Sequence, residues 1–371
     1  MRESRPRIDS FLSILPASNG SDLHLAVGSP PILRIDGVLE RSRYRALTEE
    51  DFFNLVRPVT PARIWDTFQE SGDADFAYQM GSEARFRVNL FRQELGSAAV
   101  FRLIPSRVPS VEELGLPPSI SALSNAARGL VLVTGPTGSG KSTTLAAILD
   151  RVNHRLSHHV VTVEDPIEFV HVNDKSVFTQ REIGADVGSF AEGVKAAIRE
   201  DPDCLLVGEM RDLETIRMAL SAAETGLLVF ATLHTNSAAK AIDRIIDAFP
   251  AGEQEQIRTV LAEVLRAVVA QQLLRRKSGG RVASYEILLS STALANSIRE
   301  GKTNLINNMI QTGKSRGMIS MDQSLLELVK NGVVEPAEAL ERALDKESFK
   351  SSVGGAAPVA TPPKSVPAAA R

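Results

Sequence analysis

Leu130-Val131-Leu132-Val133-Thr134-Gly135-Pro136-Thr137-Gly138-Ser139-Gly140-Lys141-Ser142 joins a continuous apolar run to the pattern G-x-x-x-x-G-K-[ST]. The apolar run reads as a strand buried on both faces. Residues 143–152 then take helical spacing. Strand, glycine loop and helix in that order make a phosphate cradle. The glycines let the backbone curl until its N–H groups face the phosphates. The helix N-terminus adds partial positive charge. Lys141 is placed to reach the outer phosphates, and Ser142 to offer a hydroxyl to Mg²⁺. The expected ligand is ATP, with Gly135, Pro136, Thr137, Gly138, Ser139, Gly140, Lys141, Ser142 and Thr143 around it.

Outward from this loop, apolar runs recur at 160–163, 205–207 and 228–233. Helical patterns at 190–199, 213–223 and 238–248 separate them. Strands alternating with helices predict a parallel sheet with helices on both faces. Beyond Phe249, the stripe Ile257, Leu261, Val264, Leu265 and Val268 predicts more helix, read as plain core.

The first hundred residues have another grain. Residues 23–27 and 32–35 read as strands, with Asp36-Gly37 as a hairpin turn after the second. Thr48-Glu49-Glu50-Asp51 is a helix start with acid in its first turn. Residues 85–91 alternate polar and apolar, a half-buried strand, and 98–104 read as another. This predicts an α+β domain with antiparallel pairing. Residues 105–118 hold four prolines and read as a linker. Residues 351–371, rich in Ala, Pro and Ser, are expected to be disordered. The expected domains are therefore 1–105, a linker 106–120, an ATPase domain 121–350 and a tail 351–371.

The 371 residues carry a formal net charge of -3, so no global basic field attracts nucleic acid or an anionic membrane. Cys204 is the single cysteine, so an internal disulfide is ruled out, as is a four-cysteine zinc site. Residues 11–17 imitate a secretion signal, but the run is short, broken by Ser13 and preceded by Asp9. No stretch approaches the roughly 20 apolar residues of a membrane helix. A cytoplasmic location without direct membrane insertion is expected.

Hydrolysis needs more than a phosphate cradle: a positioned water, a base, a metal and positive charge at the transition state. Glu164 and Asp165 end the run 160–163, and Glu209 follows 205–207, at the strand ends where α/β ligands bind. Asp203 sits at the wrong end of its run. Glu164 is assigned to the attacking water and Glu209 to Mg²⁺ or its waters. Asp165 reads equally as a turn residue beside Pro166. Glu209 has a structural alternative, a salt bridge with Arg211 or Arg217. His234, after 228–233, is placed either near the γ-phosphate or as a structural residue.

Together, 135–145 (GPTGSGKSTTL), 163–169 (VEDPIEF), 199–215 (REDPDCLLVGEMRDLET) and 222–237 (AAETGLLVFATLHTNS) resemble the secretion ATPase superfamily, nearest its type IV pilus retraction, or twitching-motility, branch. The likeness runs from about Ser21 to about Phe349, and includes residues 84–89 (ARFRVN) and 317–323 (GMISMDQ). It implies an α/β architecture: a PAS-like N-terminal α+β domain, then a RecA-like P-loop ATPase domain with a helical C-terminal part. It also implies a homohexameric ring at the inner-membrane base of a pilus machine. There the ring would work on a platform protein, with a paralogous retraction ATPase as a further partner. By the resemblance, Glu164 is the catalytic glutamate, Glu209 the magnesium-side acid and His234 the histidine of its box. Arg87 and Arg102 are then the arginines that spread charge over the γ-phosphate.

Three positions depart from the pattern. Leu95 stands where a further arginine is usual, with Arg92 nearby. Leu227 replaces a second histidine. Residues 293–300 read ALANSIRE, with Ala295 where the family carries arginine. ATP binding is expected intact, and the departures leave open an accessory retraction paralogue with weak turnover. A pilus-extension or secretion ATPase ranks lower, because those enzymes commonly carry a longer N-terminal region and a four-cysteine insert.

Overall fold

The structure is a computed structural model that describes residues 7–18, 20–35, 37–81, 83–104 and 107–354. The first six residues, Asp36 of the expected hairpin turn, the start of the expected linker at 105–106 and the tail beyond Gly354 lie outside the described residues. Residues 351–354 close the last helix, Lys346–Gly354.

Two sheets organise the described residues. The first comprises β1 (Gly20–Ala26), β2 (Ile32–Ile35), β3 (Val38–Arg41), β4 (Asp73–Met80), β5 (Ala84–Gln93) and β6 (Gly96–Ile104). Their order is β3-β2-β1-β6-β5-β4, and the paired strands run antiparallel. Along β5 the alternation is the expected one: Phe86, Val88 and Leu90 are fully buried, while Arg85, Arg87 and Asn89 take the other face. Phe52 and Phe68, from helices Glu49–Val56 and Ala62–Ser71, share the buried cluster. The first of these helices starts at a capping box: Thr48 Oγ1 accepts from Asp51 N (3.1 Å), and Asp51 Oδ2 accepts from Thr48 N (3.0 Å).

The second sheet has seven strands: β7 (Gly129–Thr134), β8 (His159–Glu164), β9 (Val177–Glu182), β10 (Cys204–Val207), β11 (Leu228–Leu233), β12 (Leu265–Arg275) and β13 (Arg281–Leu289). Their order is β13-β12-β7-β11-β10-β8-β9. β9, β8, β10 and β11 pair in parallel, while β12 and β13 form an antiparallel hairpin. β7, β10 and β11 are buried at every position, as their unbroken apolar runs require.

The helix expected through Leu265 and Val268 is corrected. Helix Gln254–Val264 ends there, and both residues belong to β12. From Leu265 the residues are buried on both faces of the strand, so burial no longer follows a helical stripe. Gly279 (φ 90°) and Gly280 (φ 73°) then turn the chain into β13, a backbone that L side chains resist.

By proximity the described chain forms two compact units. One runs to Leu116 and includes Ser121–Leu130 and Ser142–Thr232; the other takes Pro117–Ile120, Val131–Lys141 and Leu233 onward. In the second unit, Ala270 and Leu274 of β12 pack with Met321, Leu325, Val334, Ala339 and Phe349.

Candidate active site

The loop is shaped by what glycine permits. Gly135 (φ 146°), Gly138 (φ 78°) and Gly140 (φ 87°) all lie at positive φ. A Cβ on Gly135 would come within 2.3 Å of Gln271 O, and one on Gly140 within 2.8 Å of Gln271 Nε2. Gln271, on β12, also donates from Nε2 to Ser139 O at 2.8 Å. Lys141 Nζ donates to Gly135 O (2.8 Å) and Pro136 O (3.2 Å). Thr134 Oγ1, Ser139 Oγ and Thr235 Oγ1 are buried without a hydrogen-bond partner. Orphaned buried hydroxyls are costly. Thr134 and Ser139 lie just before and within the glycine loop and Thr235 just after β11, and their unmet hydrogen bonds fit a polar ligand.

In the other unit, three parallel strands end side by side. β8 ends at Glu164, β10 runs out into Gly208 and Glu209, and Thr232 lies near the end of β11. Gly208 is needed for this approach, since a Cβ there would lie 3.0 Å from Val163 O. Thr232 Oγ1 donates to Gly208 O at 2.5 Å. Ser142, Glu164, His171, Gly208 and Thr232 line one cavity of about 30 Å³, the room of one or two waters.

Glu164 is one of the side chains that line this cavity. Thr162 Oγ1 donates to its Oε1 at 2.7 Å, and Gln180 Nε2 lies 3.3 Å from the same oxygen. Desolvation by burial outweighs these bonds and pushes its pKa up to about 7. Burial likewise pushes His171 down to about 4, so its ring stays neutral, stacked on Phe178 with centroids 4.4 Å apart.

The structural alternative for Glu209 is present: Arg211 Nε lies 2.7 Å from its Oε1. That hydrogen bond, and the charge of Asp165, hold the Arg211 pKa up. Asp165 is exposed and also acts on Asp75, whose carboxyl burial pushes up and Arg87 pulls back down. Arg87 and Arg102 are register partners across β5 and β6. Arg87 Nε lies 3.9 Å from Asp75 Oδ1, and Arg102 Nε donates to the buried Asp22 Oδ1 at 2.8 Å. Arg92 is engaged elsewhere, donating to Gln69 O (3.0 Å) and lying over the Phe68 ring. Leu95 is 66% exposed.

His234 directly follows β11. Ser237 caps the next helix, Ala238–Asp247, by accepting from Lys240 N. The buried Glu286 of β13 accepts from Ala238 N at 2.7 Å, anchoring the same helix start.

The sequence matches the family described as type II/IV secretion system protein over residues 11–347. The chain belongs to this family. Among its members, the type IV pilus retraction ATPase PilT of Pseudomonas aeruginosa is 48% identical over 342 residues, covering 92% of this chain and 99% of the relative. A twitching motility protein of Neisseria gonorrhoeae is 50% identical over 320 residues, covering 86% of each. The crystal structure of the pilus retraction motor PilT with bound ADP superposes with a TM-score of 0.87 at 42% identity, covering 94% of this chain and all of that one. These matches place the chain on the retraction branch of the secretion ATPases and bear out the expected fold of an N-terminal α+β region before an ATPase core.

Gln271, Thr162, Gln180 and Glu286 were not singled out from the sequence. A signal existed for Gln271: an amide within the apolar stretch 267–274 is costly unless it has a partner.

Proposed function

We propose that this chain is the subunit of a homohexameric, Mg²⁺-dependent ATPase ring that withdraws type IV pilus subunits through an inner-membrane platform protein. The observation that carries the reading is the cavity shared by Ser142, Glu164, Gly208 and Thr232. Its weight comes from relatives named for pilus retraction and twitching motility.

In this reading, phosphate oxygens take over the donors of the loop, and Lys141 exchanges its carbonyl partners for the outer phosphates. Glu164, with its pKa near neutrality, holds the attacking water and takes its proton at a carboxylate oxygen. Ser142 and Glu209 offer a hydroxyl and a carboxylate, hard oxygen donors of the kind magnesium shares with phosphates and water. When bound, the ion would neutralise charge on the phosphates. Arg87 and Arg102 supply further positive charge, and His234 lies beside the γ-phosphate. Loss of the γ-phosphate then releases contacts that hold one conformation, the step that becomes movement.

Purified protein is expected to hydrolyse ATP only with Mg²⁺, and Lys141→Ala to abolish this. Deleting the gene should leave cells with many pili that cannot shorten. A protein without Mg²⁺-dependent turnover, or a deletion strain without pili, would overturn the reading. The accessory-paralogue reading rests on Leu95, Leu227 and Ala295. Turnover that requires a second retraction ATPase would select it.

A further inference from the structure

β9 lies at the edge of the second sheet, in parallel register with β8, so that Thr162 faces Gln180 and Glu164 faces Glu182. Gln180 and Glu182 are two residues apart and share a face. Both reach into the loop after Glu164. Gln180 Nε2 donates to Phe169 O (2.8 Å), and its Oε1 accepts from His171 N (2.8 Å). Glu182 Oε2 accepts from the buried Ile167 N (3.1 Å). One edge strand therefore holds the loop at three points.

The Glu182 carboxylate has a second donor. Arg85 of β5 donates from Nη2 to the same Oε2 at 3.0 Å. The two side chains are only 23% and 10% exposed, so the pair is largely desolvated. Removing either partner would leave a charge that water cannot fully compensate. Arg63 adds a second link between the same regions, donating to Gly184 O just beyond β9.

We propose that Arg85 and Glu182 form a latch that ties the N-terminal sheet to the loop behind Glu164, and that both act as positioning residues for Glu164. The latch gives the N-terminal sheet a direct hold on the geometry of the base. A single oxygen receives both the guanidinium and the Ile167 amide, so a shift of β5 is felt two residues from Asp165.

This rests on Glu164 being the base that the proposed function makes it. The test uses the full chain carrying Arg85→Ala, Arg85→Lys, Glu182→Gln and the Arg85→Ala/Glu182→Gln pair. Three readouts apply: amide hydrogen exchange over 164–171, ATPase kcat and KM, and the melting temperature. Arg85→Ala and Glu182→Gln should each speed exchange in that loop and lower kcat about 10–100-fold, the scale of a misplaced catalytic group. KM for ATP should stay within about twofold, because the phosphate loop is untouched. The double variant should be no worse than the singles, and Arg85→Lys should recover much of kcat. Unchanged exchange in the loop, additive losses, or a lowered melting temperature with kcat intact would each overturn the latch. Wild-type protein without ATPase activity would refute the role of Glu164, while the exchange measurement would still decide whether Arg85 holds the loop.

Discussion

At the scale of single residues, Glu164 carries the sharpest prediction. Burial raises its pKa from 4.5 to about 7, so the folded protein holds that proton more tightly than the unfolded chain does. The associated stabilisation is complete below about pH 4.5 and is lost as pH rises through 7. Its ceiling is roughly 3 kcal/mol. Glu164→Gln removes the ionisation, so its melting temperature should exceed wild type by more at pH 8 than at pH 5. In turnover the same group should give kcat/KM an acid limb near pH 7, and Glu164→Gln should lose about 10²–10⁴-fold in rate while still binding ATP. A wild-type profile flat between pH 6 and 8 would count against it. Gly135 and Gly138 make a second, paired prediction. Both sit at positive φ, but only at Gly135 would a Cβ strike backbone, while Gly138 has nothing within 4 Å. Gly138→Ala should cost about 1 kcal/mol of backbone strain. Gly135→Ala should also displace the loop and abolish ATP binding, as read by nucleotide titration.

At the scale of elements, β12 matters beyond its place in the sheet. Its alternation puts Gln271 and Leu273 toward the phosphate loop, where Leu273 Cδ1 lies 3.5 Å from the Cβ position of Gly140. Ala270 and Leu274 face the C-terminal helices. One strand thus carries the loop on one face and the helical module on the other. Gln271→Leu keeps the bulk and deletes the donor to Ser139 O. ATP affinity is expected to fall about tenfold, with a melting temperature lower by a few degrees. Equal affinity by calorimetry would show that Gln271 does not shape the loop. This element is also where the sequence was least legible. The strands around the phosphate loop announce themselves because parallel strands buried on both faces leave unbroken apolar runs, and 228–233 matches β11 residue for residue. β12 is as apolar, but it follows the helical stripe of Gln254–Val264 without punctuation, so period alone carried the helix too far. β9 was missed for the opposite reason. As an edge strand with polar residues facing the Glu164 loop, Val177–Glu182 has neither a long apolar run nor a clean alternation. The acids were legible from their place at strand ends. Of the partners of Glu164, Thr162 lies two residues back on the same strand, where period-2 alternation puts it on the same face, but Gln180 was not legible, because cross-strand register cannot be read from one strand.

At the scale of the whole molecule, the proposed ring raises the question of which subunit would supply each part of the site. Arg87 and Arg102 face one another on the first sheet, already near Asp75 and Asp22 of their own chain. A ring built of identical subunits can deliver such arginines to a neighbour's nucleotide, as arginine fingers do in trans. Subunits carrying Arg102→Ala and subunits carrying Glu164→Gln should each be inactive alone. If Arg102 acts across the ring interface, mixing equal amounts and allowing exchange joins an intact Glu164 to an intact Arg102 at roughly a quarter of the interfaces. ATPase activity should then reappear at about that fraction of the wild-type rate, and rings locked before mixing should stay silent. If Arg102 serves its own subunit, every site in the mixture still lacks one group and no activity returns. The Asp22 pairing adds a finer expectation. Asp22 is buried and holds the Arg102 guanidinium by its Nε, so Asp22→Asn should loosen the arginine and lower kcat without weakening ATP binding to the isolated loop. Recovery in the mixture together with a kcat loss in Asp22→Asn would identify Arg102 as a group aimed by its own sheet and used by the next subunit.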